Sequence, residues 1–285
     1  MPGVVHFLDP FRYRSTFHQR YPDVDEDEFS RDYLGHLEEI IQYEGPQTIA
    51  AILIESVTGT NGIIVPPEGY IQGVRDICNR HHILMIADEV MSGFGRTGEW
   101  FAVNHWGVVP DIMTMAKGLT SGYAPLGVVA MKPEIAAAFN EKVYEGGLTY
   151  NGHPISLAAA IAVIEVMQQD RLVEKAKISG EILKNMLQNL KARHPSVGDV
   201  RSIGLFAAIE VVKNQQTKEP AAPFGGSSPE MSALRQYLLD HGVYLYTHWN
   251  TILIIPPLII TQSELEQGLS VIDQSLYEMD KVVNH

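Results

Sequence analysis

HILMIADEVMSGFGRTGEW, residues 82–100, decides how the chain is read, because it carries two signatures that conflict. The run ILMIADE, ending at Asp88 and Glu89, has the form of a Walker B strand. GFGRTG, residues 93–98, is a literal G-x-G-x-x-G, the dinucleotide fingerprint. Context tests both. A Walker B strand works with a P-loop, G-x-x-x-x-G-K-[ST], and no such string occurs in the 285 residues. A dinucleotide fingerprint leaves its strand at once and opens a helix, because the pyrophosphate rests on the helix N-terminus. Here Asp88 to Ser92 intervene, and the following EWFAVNHWGVVP (99–110) has no helical periodicity. Neither signature survives. What remains is an apolar strand that ends in an acid.

Outward from that strand, apolar runs alternate with helical patterns. Phe29, Tyr33, Leu37, Ile40 and Ile41 share one face of a helix over 25–43. TIAAILIES (48–56) reads as a second buried strand, a Gly/Pro-rich turn follows, and 68–81 reads as helix. PDIMTMAK (110–117) and LGVVAMK (126–132) are further short apolar runs. Continuous apolar strands separated by helices predict a parallel sheet covered on both faces. From residue 154 the texture changes. PISLAAAIAVIEVMQQ (154–169) is an almost wholly apolar helix and 170–194 a long amphipathic one. Strands within 200–212, a polar loop over 214–229, a helix and two strands near 243–255 come next. Thr261-x-x-Glu264, a capping box, opens the last helix. The expected fold class is α/β. It comprises a partial large domain with a mainly parallel sheet over 1–165, then a C-terminal α+β small domain over 166–285.

Composition narrows the function classes. Hydrophobic content of 45% with 19% charged residues is ordinary for a globular protein. The longest apolar runs, such as ILIIPPLII (252–260), fall short of a membrane span, and no export leader is apparent. Cys78 alone excludes an internal disulfide and fits a reducing compartment, so a cytoplasmic protein is expected. A net charge of −13 argues against nucleic acid as a partner.

Asp88 and Lys117 each close an apolar strand, and ligands of parallel α/β sheets bind beyond the carboxyl ends of the strands. Charged groups there are costly to bury and generally have a partner or a task. A desolvated lysine is a nucleophilic amine, suited to a Schiff base, and an acid can keep a pyridinium nitrogen protonated. The pair therefore suits pyridoxal phosphate. A structural Asp–Lys ion pair is the other reading of the same positions.

The stretch DEVMSGFGRTGEWFAVNHWGVVPDIMTMAKGLTSGYAPLGVV (88–129) resembles the cofactor region of the class III pyridoxal-phosphate aminotransferases. That family reads D-E-V-x-x-G-F-G-R-x-G, then P-D-[ILM]-x-x-x-[AS]-K-G-[LI]-x-x-G-x-x-P-[LI]. The resemblance continues through ESVTGTNGIIVPPEGY (55–70), GLTYNGHPISLAAA (147–160) and PPLIITQSELEQGL (256–269). It implies a fold type I, pyridoxal-phosphate-dependent transaminase. Such an enzyme moves the terminal amino group of an ω-amino acid, taurine or amine to pyruvate or 2-oxoglutarate. An aminomutase on the same scaffold and an inactive fragment are the alternatives.

Residue by residue, the resemblance makes Lys117 the Schiff-base lysine and proton carrier, and Asp88 the partner of the pyridine nitrogen. Val90 would pack on the ring, and Thr58 would stand near the ring hydroxyl. Thr149 would bind the cofactor phosphate of a partner subunit, which implies a homodimer with shared active sites. Glu55 would lie near the substrate. Each also has a plainer reading: core for Val90, turn for Thr149, solvated strand end for Glu55 and loop for Thr58. Gly93, Gly95 and Gly98 read as turn glycines without ligand contact, and no metal is implied. Two departures stand out. MPGVVHFLDPFRYRSTFH (1–18) resembles the sequence that follows the family's phosphate-binding Gly-Ser/Thr loop, so the chain reads as N-terminally short, with Met1 an internal or misassigned start. LYTHWNTILIIPP (245–257) lacks the arginine that many relatives place there for a substrate carboxylate, and His248 is either its substitute or a residue that packs at the strand end.

Overall fold

The computed structural model describes residues 3–18 and 24–283, and Met1 lies outside them. The chain forms two compact units. The first comprises Met1–Val57, Pro66–Phe94 and Trp100–Arg171. The second comprises Thr58–Val65, Gly95–Glu99 and Leu172–His285. Two short excursions from the first unit's sequence therefore belong to the second. The boundary along the main run falls at Leu172, a division that keeps the apolar helix of 154–169 whole.

In the first unit, helix α1 (Glu26–Glu44) starts where the Asp25 carboxylate accepts the Glu28 amide at 2.7 Å. Glu26, Asp27 and Glu28 in its first turn suit the positive end of the helix dipole. Strand β1 (Ala51–Glu55), helix α2 (Tyr70–His81), and strands β2 (Leu84–Asp88), β3 (Ile112–Met115) and β4 (Val128–Met131) follow. The sheet order is β1-β2-β3-β4, with the first two pairings parallel and the last antiparallel. Phe29, Tyr33, Leu37 and Ile41 of α1 and Ile71, Val74 and Ile77 of α2 pack on Ile52, Ile54 and Met85. Both helices thus cover the same face. The opposite face is open: Leu53 is 57% exposed and Val129 59%. Among the described residues the expected cover is present on one face only, because α1 and α2 both bury the even-numbered residues of β1. A short helix α3 (Pro133–Ala137) and the apolar helix α4 (Pro154–Gln169) complete the unit. Much of α4 faces solvent, with Ile155 70% and Ile161 59% exposed.

The second unit is an antiparallel sheet under three helices. Its elements are α5 (Leu172–Arg193), β5 (Val197–Ile203), β6 (Phe206–Asn214), β7 (Glu219–Pro220), α6 (Pro229–Asp240), β8 (Tyr246–His248), β9 (Thr251–Ile254) and α7 (Gln262–Asp280). Strand order is β5-β6-β9-β8, with β7 paired to β6. Leu183 and Leu187 of α5, Leu234 and Leu238 of α6, and Leu269 and Leu276 of α7 share one core with Ile209 and Ile252. The capping box forms as read: Thr261 Oγ1 accepts the Glu264 amide at 3.2 Å, and the Glu264 carboxylate accepts the Thr261 amide at 2.8 Å.

Candidate active site

Strand register sorts the open sheet face into rows. Leu53, Ile86, Ile112 and Met131 lie side by side, an entirely apolar row. The next row, at the carboxyl ends of the parallel strands, is Glu55, Asp88, Thr114 and Val129. Register partners point to the same face of a sheet, so two carboxylates and a hydroxyl meet where an α/β sheet offers its ligand site. Asp88 Oδ1 accepts the Val90 amide at 2.9 Å. Its partner is thus a backbone N–H and not the Lys117 ammonium, so the structural ion pair is not what the chain uses. Val90, two residues on, is half-buried.

Glu89, beside Asp88, points the other way and is fully buried. A buried carboxylate is costly unless hydrogen bonds replace its water. Four donors do so: Ser56 Oγ at 2.7 Å, Ser92 Oγ at 2.8 Å, and the amides of Ala102 and Val103, each at 2.9 Å. Those amides open a 3-10 helix over Ala102–Trp106, a turn that sequence periodicity did not reveal. Glu89 therefore welds the ends of β1 and β2 to the segment that follows. The sequence signal was present but unread, since adjacent strand residues face opposite sides and an Asp-Glu pair must send one acid inward.

Lys117 follows β3 as the first residue of a 3-10 turn, Lys117–Leu119, with φ of 41°. A non-glycine in the left-handed region marks local strain of the kind that clusters at functional sites. Lys117 is exposed in the described chain. Thr149 lies in an exposed stretch over 136–152, just after Leu148, whose carbonyl accepts the Asn151 amide at 3.0 Å. Among the described residues no cluster of His, Cys, Asp or Glu could hold a metal ion.

Thr58 and His248 lie in the second unit. Thr58 exchanges backbone hydrogen bonds with Ile64, 3.2 and 2.9 Å, closing the 58–65 excursion into a tight loop. Arg201 donates to the Gly62 carbonyl at 3.0 and 2.8 Å. His248 Nδ1 donates to the Thr60 carbonyl at 2.8 Å, and the ring lies 3.8 Å from that of Trp249. The second excursion, Gly95–Glu99, contains most of GFGRTG. Arg96 donates to the carbonyls of Leu205 at 3.0 Å and Pro256 at 2.5 Å, and its own carbonyl accepts the Leu205 amide at 3.0 Å. Burial pushes the Arg96 guanidinium down to about 10. Gly204 is the point of closest approach: a Cβ there would stand 2.3 Å from the Thr97 carbonyl carbon. The Gly95–Gly98 part of the motif thus serves packing within the second unit.

The sequence matches the family Aminotransferase class-III over residues 5–276, a family that uses pyridoxal phosphate. It is 37% identical over 269 residues to a putrescine–pyruvate aminotransferase of Pseudomonas aeruginosa, covering 94% of this chain and 57% of that protein. It is 35% identical over 289 residues to a taurine–pyruvate aminotransferase of Bilophila wadsworthia, covering 98% of this chain and 62% of the relative. The fold superposes with a TM-score of 0.94 and 42% identity on a taurine:2-oxoglutarate aminotransferase from Bifidobacterium kashiwanohense, solved with PLP and glutamate. That match covers 100% of this chain and 63% of the solved one. The chain thus spans less than two thirds of the length of these relatives. A family match along nearly all of its residues, and a fold shared at that closeness, make the chain a member of the class III aminotransferases.

Proposed function

We propose that the protein of which this chain is part is a transaminase. It takes the terminal amino group of an ω-amino acid, taurine or amine and gives it to pyruvate or 2-oxoglutarate. The observation that carries this is the polar row Glu55–Asp88–Thr114 at the carboxyl ends of β1, β2 and β3, with Lys117 just beyond β3. The residues fit pyridoxal phosphate: Asp88 commits one carboxylate oxygen to the Val90 amide and keeps the other for a ring N–H.

When bound, pyridoxal phosphate supplies the electron sink for proton loss beside nitrogen. Asp88 holds the proton on the ring nitrogen, and its fixed Oδ1 sets the direction in which the carboxylate faces. Lys117 provides the amine that holds the cofactor, and its Nζ carries the proton between the two carbons. Val90 would pack against the ring, Thr58 would serve its hydroxyl and Glu55 would serve the substrate. His248 donates its Nδ1 proton to the Thr60 carbonyl, so Nε2 donates to a substrate carboxylate or sulfonate only when the ring is an imidazolium.

The reading extends to assembly and place. Thr149 serves the phosphate of a second copy, so the active form is a homodimer, a reading supported by the exposed apolar side chains of α4. A cytoplasmic location is supported by the one cysteine, Cys78, which is buried and unpaired.

Covalent mapping tests the core of this. The chain is mixed with pyridoxal phosphate, reduced with borohydride, digested and mapped. The label is expected on Lys117 and is lost in Lys117→Ala. A label on another lysine, or none, removes the assignment.

A further inference from the structure

Thr114 holds the one member of the polar row to which no role has been given. Its side chain lies in register with Asp88 on β2 and Val129 on β4. The Oγ1 atom is cut off from solvent and has no hydrogen-bond partner. Buried hydroxyls in native proteins nearly always find one, so an orphan among them calls for an explanation. Packing does not supply it. Two residues back on the same face stands Ile112, and a valine of Thr114's own shape would fill the strand position without a polar atom. The nearest acceptor in the row is the carboxylate of Asp88, whose Oδ1 is already held by the Val90 amide. Neighbouring parallel strands lie about 4.8 Å apart, within the span of a Thr–Asp side-chain hydrogen bond.

We propose that Thr114 is a positioning residue for Asp88: with cofactor present, its hydroxyl donates to the carboxylate and fixes it toward the ring nitrogen. A donor to the ionised form keeps a carboxylate charged, and two fixed donors leave it one orientation. A buried hydroxyl without a partner costs stability. Thr114 is then a place where stability is given up for binding. The inference rests on the role proposed above for Asp88.

The test uses the whole chain with Thr114→Val, which keeps shape and removes the hydroxyl, and Thr114→Ser, which keeps the hydroxyl. Affinity is read by titrating pyridoxal phosphate and following its visible absorbance, and Tm is read without cofactor. Thr114→Val is expected to bind roughly tenfold more weakly or worse, with Tm unchanged or raised, and Thr114→Ser to bind within about twofold of wild type. In an Asp88→Asn background the Thr114→Val effect is expected to vanish, since the hydroxyl acts through that carboxylate. Undiminished binding by Thr114→Val overturns the proposal. So does a full additive loss in the double variant, or a Thr114→Ser as weak as Thr114→Val. If wild type takes no label at Lys117, the functional reading falls and takes this one with it. If the label is sound and the Thr114 results fail, only Thr114 falls.

Discussion

Asp111 and Glu89 are both carboxylates that the fold draws out of water, and each is held by a different chemistry. Glu89 is surrounded by neutral donors, whereas Asp111 takes the Arg75 guanidinium at 2.7 Å, the Lys132 ammonium at 2.8 Å and the Met85 amide at 2.8 Å. Burial alone would raise the Asp111 carboxyl, but the bonds from Lys132, Met85 and Arg75 outweigh it and bring it down to about 2. A carboxyl depressed on folding stabilises above its unfolded value, and that stability drains away as pH falls from about 4 to about 2. Asp111→Asn should therefore lose about 2 kcal/mol at pH 7 and show a flatter acid limb. Urea unfolding at pH 7 and acid titration followed by circular dichroism check this; an unchanged acid limb would refute it. The places of Asp88 and Lys117 at strand ends were legible in the sequence because a charge that closes an apolar run is conspicuous. The cradles of Glu89 and Asp111 were not, because most of their donors come from 13 or more residues away in the chain.

At the scale of elements, the strands were legible because four continuous apolar runs can be little else between helical patterns. The role of GFGRTG was not. Arg96 finds its carbonyls 109 and 160 residues later, at Leu205 and Pro256, and no local pattern announces them. Gly204 makes the junction possible. Its φ is +56° and a Cβ would press on the backbone of Thr97 and Gly98, which cannot yield as a side chain could. Gly204→Ala should cost about 3 kcal/mol from overpacking and left-handed strain combined. Chemical denaturation measures it, and a loss under about 1 kcal/mol would mean that the loop moves aside freely.

For the molecule as a whole, α4 is the element that its own unit leaves least explained. An apolar helix with Ile155, Leu157, Ile161 and Val166 all exposed is a poor surface for a free chain. The proposed homodimer gives it cover. Ile161→Glu is expected to shift the protein toward monomer in light scattering and, through loss of Thr149 from the neighbouring site, to weaken pyridoxal phosphate binding. A variant that remains dimeric would place the interface elsewhere.

The two excursions bear on the order in which the protein can take shape. The chain passes between its units five times, after residues 57, 65, 94, 99 and 171. Gly62 leaves the ribosome 139 residues before Arg201, the residue whose guanidinium holds its carbonyl. At about 5–20 residues per second, that loop waits roughly seven to thirty seconds for its clasp. Throughout that interval the residue that holds the Gly62 carbonyl has yet to be made. The second unit is thus begun at residue 58 and completed only by residues that follow 171.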